Sequence, residues 1–533
     1  MIRAPVKRIS LATHDMLPVV RDGFPLFLLG ITLAYSNRWF TIIDDEATVL
    51  SDAAQPLDTT LALFRSGIGQ HEHPPLHDLL LHVWLWFTGG AFTWLRAPSI
   101  AFFLVGLFLL SRAARRIGGQ TSATVLLWLG VLWPYGFHFG RLAIWYSFAF
   151  LVISALTWAY LRFCDSPTSY AWALVLFLEF ALVCTNYFGW ALLGLLGADD
   201  WIRHHRRPGT ARRLLWSSAL LVIAYAPLWP AFLNEFNDGA QRIHSWRALT
   251  LTLGFNTYTL LVSESMAPWF WRFGIPATLA VASSLFLVFF RVHRDVRRFL
   301  LFAGLLLLCM GVNEILNTKR VILVAPWVFL PMAVALGSLE GPMVRRGLAL
   351  SLLVVGGIGW YGISSRQYYA APRFIEPWLT ISGEVATALR NGSGVIGNNR
   401  SFFFYLTYAL HVHKNGLGWR FSGTLPTQVR SEGVWSPEEW LAAGQPLRPK
   451  MFWVRGLPGS EEGTPMAAAA IWLDQHCIDR NDRRFMRDPA YEWKRRYFPQ
   501  LGDLSWRVEI REYACDTDGM NLHSSGITSA NPG

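Results

Sequence analysis

Charged residues are scarce in this chain: Asp, Glu, Lys and Arg make up 16% of its 533 residues, while 53% are hydrophobic. With a positive mean hydropathy, that balance excludes a soluble protein of this size and points to an integral membrane protein. There is no internal repeat, no Walker-type phosphate loop and no zinc-finger spacing. The first 20 residues, MIRAPVKRISLATHDMLPVV, lack an apolar core followed by small residues. The expectation is therefore an uncleaved cytoplasmic start whose first helix is its own targeting signal. Acidic residues are outnumbered, 36 against 47 basic ones, for a net charge of +11. The arginines lie between apolar segments rather than along one soluble face, so topology accounts for them and no nucleic-acid partner is expected. Cysteine is rare as well, with five copies. Cys164, Cys184 and Cys309 fall in or beside apolar segments and read as packing residues. Cys477 and Cys515 lie in the polar tail and could pair if that tail faces an oxidising compartment.

What the chain has instead is a series of apolar runs, near 24–43, 95–111, 120–137, 143–162, 212–231, 270–290, 297–314, 320–338 and 345–363. Many of its 26 Trp residues, among them Trp84, Trp133, Trp145, Trp190, Trp229 and Trp271, sit near segment ends, where indole rings favour headgroups. Four basic groups, Arg112 to Arg116, Arg203 to Arg213, Arg291 to Arg298 and Arg345-Arg346, are expected on the cytoplasmic side. The run at 76–90 is then an interfacial helix, and 168–201 a hairpin turning near Thr185-Asn186-Tyr187. The expected architecture is a polytopic α-helical membrane protein of about eleven transmembrane helices, with residues 1–364 forming the membrane domain. From about residue 365 the composition turns soluble, and strand-like GVIGNN, KMFWVRG and WRVEIREYA alternate with helix-like segments. Residues 365–533 are expected to form an α/β domain outside the cytoplasm, periplasmic in a Gram-negative cell. The final HSSGITSANPG is expected to be disordered.

Asp44, Asp45 and Glu46 follow directly on the first apolar run. Carboxylates at a membrane boundary are expensive and usually mark function. Facing a cavity, one of them could act as general base, taking a proton from an acceptor as it attacks a sugar carbon. The plain alternative is that the acids solvate a helix end. Downstream, HEHPPLHD adds His71, Glu72, His73 and His77. His71, Glu72 and His73 could hold a divalent ion, although such short spacing is equally the polar start of a helix with Pro74-Pro75 in its first turn. A departing lipid phosphate would need fixed cations. Lys319 and Arg320 form a basic pair at the outer mouth of a helix, where the charge rule gives no reason for one. Arg141 and Arg242 are also outer by this topology, with snorkelling to headgroups as the plain reading of each.

The order of these residues resembles the C-type membrane glycosyltransferases (GT-C fold), especially bacterial families similar to protein O-mannosyltransferases and lipid A aminoarabinose transferases. The resemblance is carried by Asp45-Glu46 after the first helix, His73 before Pro-Pro-Leu, Arg96 to Ser99 (RAPS), Thr185 to Phe188 (TNYF), YAPLWP and KRVILVAP, and covers most of 24–340. It implies inverting transfer from a polyprenyl-phosphate sugar to a lipid, glycan or protein acceptor on the outer face. By position Asp45 would be the general base and Asp44 its nearest competitor. Arg320 matches an arginine of the family, and Glu72 and His73 match residues that contact metal or phosphate in some relatives, whereas the family's acid-x-Arg-x-Tyr pattern is not reproduced around Arg141 and Tyr146. The candidates for the donor phosphate are then Arg320, Lys319, His73 and Arg141, and those for a metal Glu72 and His71. The chain departs from the family pattern at Asn186, where relatives often carry His, and at Val321, where Tyr commonly follows the Arg.

Two other classes compete. A transporter or flippase of lipid-linked saccharides would use the acids as a relay, but no inverted repeat is present and a large outer domain is unusual for a carrier. A non-catalytic scaffold would use the tail to bind a partner. Trp84, Trp86 and Tyr187 could stack on a sugar or line a lipid groove.

Overall fold

The computed structural model describes residues 13–37, 40–58, 61–62, 73–89, 94–237, 245–265, 271–291, 294–313, 318–338, 342–365, 375–411, 433–456, 464–487, 492, 495–496 and 506–516. The described helices begin with α1 (Thr13–Ser36), α2 (Asp44–Ala53), α3 (Leu76–Thr88), α4 (Ala97–Val131), α5 (Pro134–Phe139), α6 (Tyr146–Asp165), α7 (Ser169–Val183) and α8 (Gly189–His204). They continue with α9 (Thr210–Ala224), α10 (Trp229–Asn237), α11 (Trp246–Val262), α12 (Trp271–Arg291), α13 (Arg294–Asn313), α14 (Ala325–Ser338) and α15 (Pro342–Ser364). Four more, α16 (Trp378–Arg390), α17 (Arg400–His411), α18 (Pro437–Ala442) and α19 (Pro465–His476), alternate with five strands. The chain divides into two compact units, the first of 1–38, 61–77 and 96–364, the second of 39–60, 78–95 and 365–533.

In the first unit, apolar side chains point outward in rows. Phe24, Phe27 and Ile31 on α1, Leu279, Phe286 and Phe290 on α12, and Leu301, Leu305, Leu308 and Val312 on α13 are all exposed. Water would penalise such surface, whereas acyl chains match it. Among the described residues Ala97–Val131 and Tyr146–Asp165 are long and apolar enough to cross a membrane, and Thr210–Ala224 with Ala226–Asn234, bent by 51°, makes a third if it is one span.

The 35 residues of α4 are two helices rather than one. Gly119 stands at φ 77°, ψ −171°, a conformation open to glycine alone, and the chain reverses there. The halves then lie side by side, since a Cβ on Gly130 would come within 2.8 Å of the Leu107 side chain. The second half stops at Val131, short of the expected 137, because Trp133 precedes proline and takes an extended conformation. Likewise the first helix ends at Ser36 rather than 43; residues 40–43 belong to no helix, and Ile43 is extended.

The hairpin over 168–201 turns at 184–188, where the Asn186 side chain accepts from the Phe188 amide at 2.9 Å. At the far end of this hairpin the basic groups meet acids. Asp199 accepts from Arg298 and from the Tyr160 hydroxyl at 2.6 Å, Asp200 pairs with Arg213 and His204, and Arg116 pairs with Asp165. Two of the four basic groups of the sequence are thereby tied to one helix, α8, which places them at one end of the unit.

The second unit is built on a sheet of β1 (Gly394–Gly397), β2 (Val434–Trp435), β3 (Lys450–Gly456), β4 (Cys477–Arg487) and β5 (Trp506–Cys515), in the order β2-β1-β3-β5-β4. β1 pairs in parallel with both neighbours, and β5 runs antiparallel to β3 and β4. The apolar run Met451–Val454 is buried at the centre, packed with Ile396, Trp440, Leu473 and Tyr513. Burial lifts the Tyr513 phenol above its ordinary pKa, and its hydroxyl donates to Asp474 at 2.7 Å. β4 is polar and exposed, as an edge strand can be. A disulfide joins Cys477 and Cys515, which face each other in the β4–β5 register. The segment after the first helix belongs to this unit: the Thr41 hydroxyl donates to the Glu376 carbonyl at 2.6 Å, the Ile42 amide to the Tyr405 hydroxyl at 2.8 Å, and Arg400 to the Thr48 hydroxyl at 2.7 Å.

Candidate active site

The polar interior of the first unit is assembled by a break in its helices. Between α4 and α6 the chain WPYGFHFGRLAIW forms only the short α5, and Pro134 to Trp145 are all buried. From this stretch the Trp133 indole donates to the Leu260 carbonyl, and the Tyr135 hydroxyl to the carbonyls of Thr318 at 2.7 Å and Lys319 at 3.0 Å. Thr318–Leu323 is a 3-10 turn leading into α14, and it carries Lys319 and Arg320, both half-buried. The Thr318 hydroxyl in turn donates to the Glu264 carboxylate, just beyond α11. The Arg320 guanidinium stands 5.7 Å from the Phe188 ring, so the TNYF turn and the KRVILVAP turn meet. A 3-10 turn whose carbonyls are held by a buried tyrosine presents its two cations with little backbone freedom, which is what a fixed phosphate cradle requires.

Arg141 is fully buried, its guanidinium 5.1 Å from the Phe137 ring, so it does not snorkel to headgroups. The His73 ring lies 5.0 Å from the Trp145 ring, which itself meets Tyr146 at 4.6 Å. The structure thus gathers Lys319 and Arg320 with Tyr135 and Glu264, places Arg141 on the buried stretch and sets the half-buried His73 against Trp145 at its end. His71, Glu72 and Arg242 lie outside the described residues. Among the described residues no three His, Cys, Asp or Glu side chains converge as metal ligands.

The acids occupy the first turn of α2 in the second unit. Ile43 caps the helix in an extended conformation without a side-chain hydrogen bond, and Asp44, Asp45 and Glu46 occupy the helix's first turn, where its dipole favours negative charge. Glu46 is completely buried and Asp45 half-buried; the Asp44 side chain lies outside the described part. Three hydrogen bonds to the C-terminal region, from Thr41 and Ile42 and to Thr48, hold both ends of this acidic turn.

Tyr135, Glu264 and Thr318 did not stand out in the sequence. A signal was there for one of them: Glu264 is the sole acid in the apolar stretch LTLGFNTYTLLVSESMAP, and a lone intramembrane carboxylate marks function by default.

No protein-family model and no curated protein matches the chain. Among solved structures it is similar to ArnT from Cupriavidus metallidurans bound to undecaprenyl phosphate, with TM-score 0.54 and 15% identity over 94% of this chain and 98% of that one. Similarity to the same protein in the apo state has TM-score 0.57 and 14% identity over the same shares. An oligosaccharyltransferase from Archaeoglobus fulgidus, in complex with Zn and sulfate, aligns at TM-score 0.42 and 10% identity over 84% and 69%. The chain shares the fold of that ArnT.

Proposed function

We infer that this protein is an integral membrane glycosyltransferase that moves a sugar from a polyprenyl-phosphate donor to a lipid, glycan or protein acceptor on the outer face, with inversion. The observation that carries the reading is the Lys319-Arg320 turn, held by Tyr135 inside a fold shared with ArnT, which was crystallised bound to undecaprenyl phosphate. In the reaction the acceptor oxygen or nitrogen attacks the anomeric carbon while the bond from that carbon to the phosphate oxygen breaks. The acceptor proton passes to Asp45, with Asp44 and then Glu46 as the neighbouring carboxylates, and the electron pair leaves on the phosphate. Lys319 and Arg320, with Arg141 as a further cation and the His73 imidazole as a hydrogen-bond donor of the first unit, stabilise the charge that grows on that phosphate. The proposed topology has eleven crossings, a cytoplasmic N-terminus and residues 365–533 outside. The Cys477–Cys515 disulfide supports that side for the tail, since such bonds persist in oxidising compartments.

The test is transfer by the purified full-length protein in lipid nanodiscs, supplied with synthetic undecaprenyl-phosphate sugars and a membrane extract as acceptor. Asp45→Asn is expected to slow transfer by roughly 10²- to 10⁴-fold while donor binding persists. Wild-type rates in that variant would remove Asp45 as the base, and movement of the lipid across the bilayer without transfer would replace an enzyme by a carrier.

A further inference from the structure

One face of α11 is polar and dry. Thr252, Asn256, Thr259 and Ser263 follow one another at steps of four, three and four residues, which puts them in a single row about 16 Å long. They are exposed by 0%, 2%, 0% and 1%. A hydroxyl on a helix normally satisfies itself by bonding the carbonyl four residues back. Thr250 and Thr257, on the other faces of α11, do so at 2.8 Å, and Ser265 donates to the Gly359 carbonyl. In the row, by contrast, the hydroxyls of Thr252, Thr259 and Ser263 and the amide oxygen of Asn256 have no hydrogen-bond partner. Four adjacent buried groups that forgo their ordinary bonds are costly unless something else fills them.

Ser263 adds a second, independent oddity. It ends the helix at φ 79°, the left-handed region where glycine is the easy choice, yet it carries a side chain. A strained residue that keeps its hydroxyl argues that the hydroxyl is used. The row leads to the phosphate turn, because Ser263 adjoins Glu264, whose carboxylate accepts from Thr318 beside Lys319.

We propose that Thr259 and Ser263, continued by Asn256 and Thr252, form the subsite that hydrogen-bonds the hydroxyls of the donor sugar. This rests on the donor reading above and deepens it. A sugar bonded to a phosphate at Lys319 and Arg320 begins where Ser263 ends, and its hydroxyls are the uncharged donors and acceptors that Ser, Thr and Asn match. The row exceeds one ring in length, so Thr259 and Ser263, nearest the turn, read the ring itself.

The experiment compares binding of two probes by the full-length protein in nanodiscs: bare undecaprenyl phosphate, and undecaprenyl phosphate carrying each of a panel of hexoses and pentoses. Thr259→Val removes a hydroxyl at constant shape, and Ser263→Gly removes one while relieving the backbone. The wild type is expected to hold one glycosylated lipid more tightly than the bare lipid. Each variant should lose about tenfold of that preference, with bare-lipid affinity unchanged and, for Ser263→Gly, thermal stability equal or higher. If both variants keep the preference, or if ordered water alone accounts for the row and no sugar adds affinity, the subsite is refuted while lipid-phosphate binding stands. If the wild type binds neither lipid, the donor reading falls and takes the subsite with it.

Discussion

The disulfide offers a test of both the fold of the second unit and the side of the membrane it occupies. Cys477 and Cys515 close a loop of 38 residues, for which loop entropy alone gives about 4 kcal/mol of stabilisation at 25 °C. For a unit of roughly 200 residues that corresponds to a fall in melting temperature of about 8–16 °C when the bond is lost. The perturbation is Cys477→Ser with Cys515→Ser, set beside reduction of the wild type, and the readout is the melting of the second unit in nanodiscs followed by proteolysis. Chemistry in cells supplies the second arm. Cys164, Cys184 and Cys309 take no part in the disulfide, so denatured protein from acid-quenched cells should take up three maleimides, and five after reduction. Five adducts without reductant would place the tail in a reducing compartment and overturn the eleven-crossing topology. An unchanged melting profile in the double variant would refute the β4–β5 register that sets these cysteines opposite each other.

Two further pairs of substitutions address the first unit. Lys319→Met and Arg320→Met each remove one charge-assisted contact to the donor phosphate and should raise the donor KM roughly 10- to 100-fold; transfer kinetics with unaltered KM in both would detach the turn from phosphate binding. Gly119→Ala should destabilise the protein by about 1–2 kcal/mol, because φ is 77° while no atom crowds a Cβ there, making the penalty one of backbone alone. Gly194→Ala, on α8 with equally open space and an ordinary φ, should be neutral or mildly stabilising in the same thermal melts, and equal effects of the two would refute a reversal at Gly119.

Much of the architecture could be read from hydropathy, because a helix in lipid must advertise an apolar surface. The runs near 143–162, 270–290, 297–314 and 345–363 coincide with α6, α12, α13 and α15 to within a few residues. Boundaries failed where local chemistry overrode hydropathy. Trp133-Pro134 ends a helix that is apolar well beyond that point, and residues 40–43, apolar enough to prolong α1, lie outside any helix, with Thr41 and Ile42 bonded to Glu376 and Tyr405 more than 300 positions away. α11 was not assigned at all, since its threonines and asparagine dilute the apolar signal over the very residues that make it unusual. In the second unit the strands with apolar centres, β1, β3 and β5, were legible, whereas β4, with its sequence CIDRNDRRFMR, has none of the alternation that marks a half-buried strand. Its place is fixed by pairing with β5 and by the disulfide, neither of which leaves a periodicity.

The site divides in the same way. Lys319 and Arg320 were visible because a basic pair at an outer helix mouth contradicts the charge distribution expected of a membrane protein. Asp44, Asp45 and Glu46 were visible because three acids in succession at a membrane boundary are rare. The structure gives those acids a local reason to exist, at the positive end of the α2 dipole, and that reason would suffice for one carboxylate at the surface. It does not suffice for Glu46, which is entirely buried: an acid that only complements a helix dipole gains most by staying in water, and a carboxylate taken out of water is costly unless its site is built to receive it. Tyr135 and Thr318 had no such anomaly to betray them. Each is an ordinary residue for its segment, and each matters only because its hydroxyl donates across more than 50 positions of sequence to fix the turn that carries the cations. Residues that act by holding others in place are legible only once the chain is folded, which is why the sequence offers the clustered charges as candidates and is silent on the hydroxyls that hold the turn.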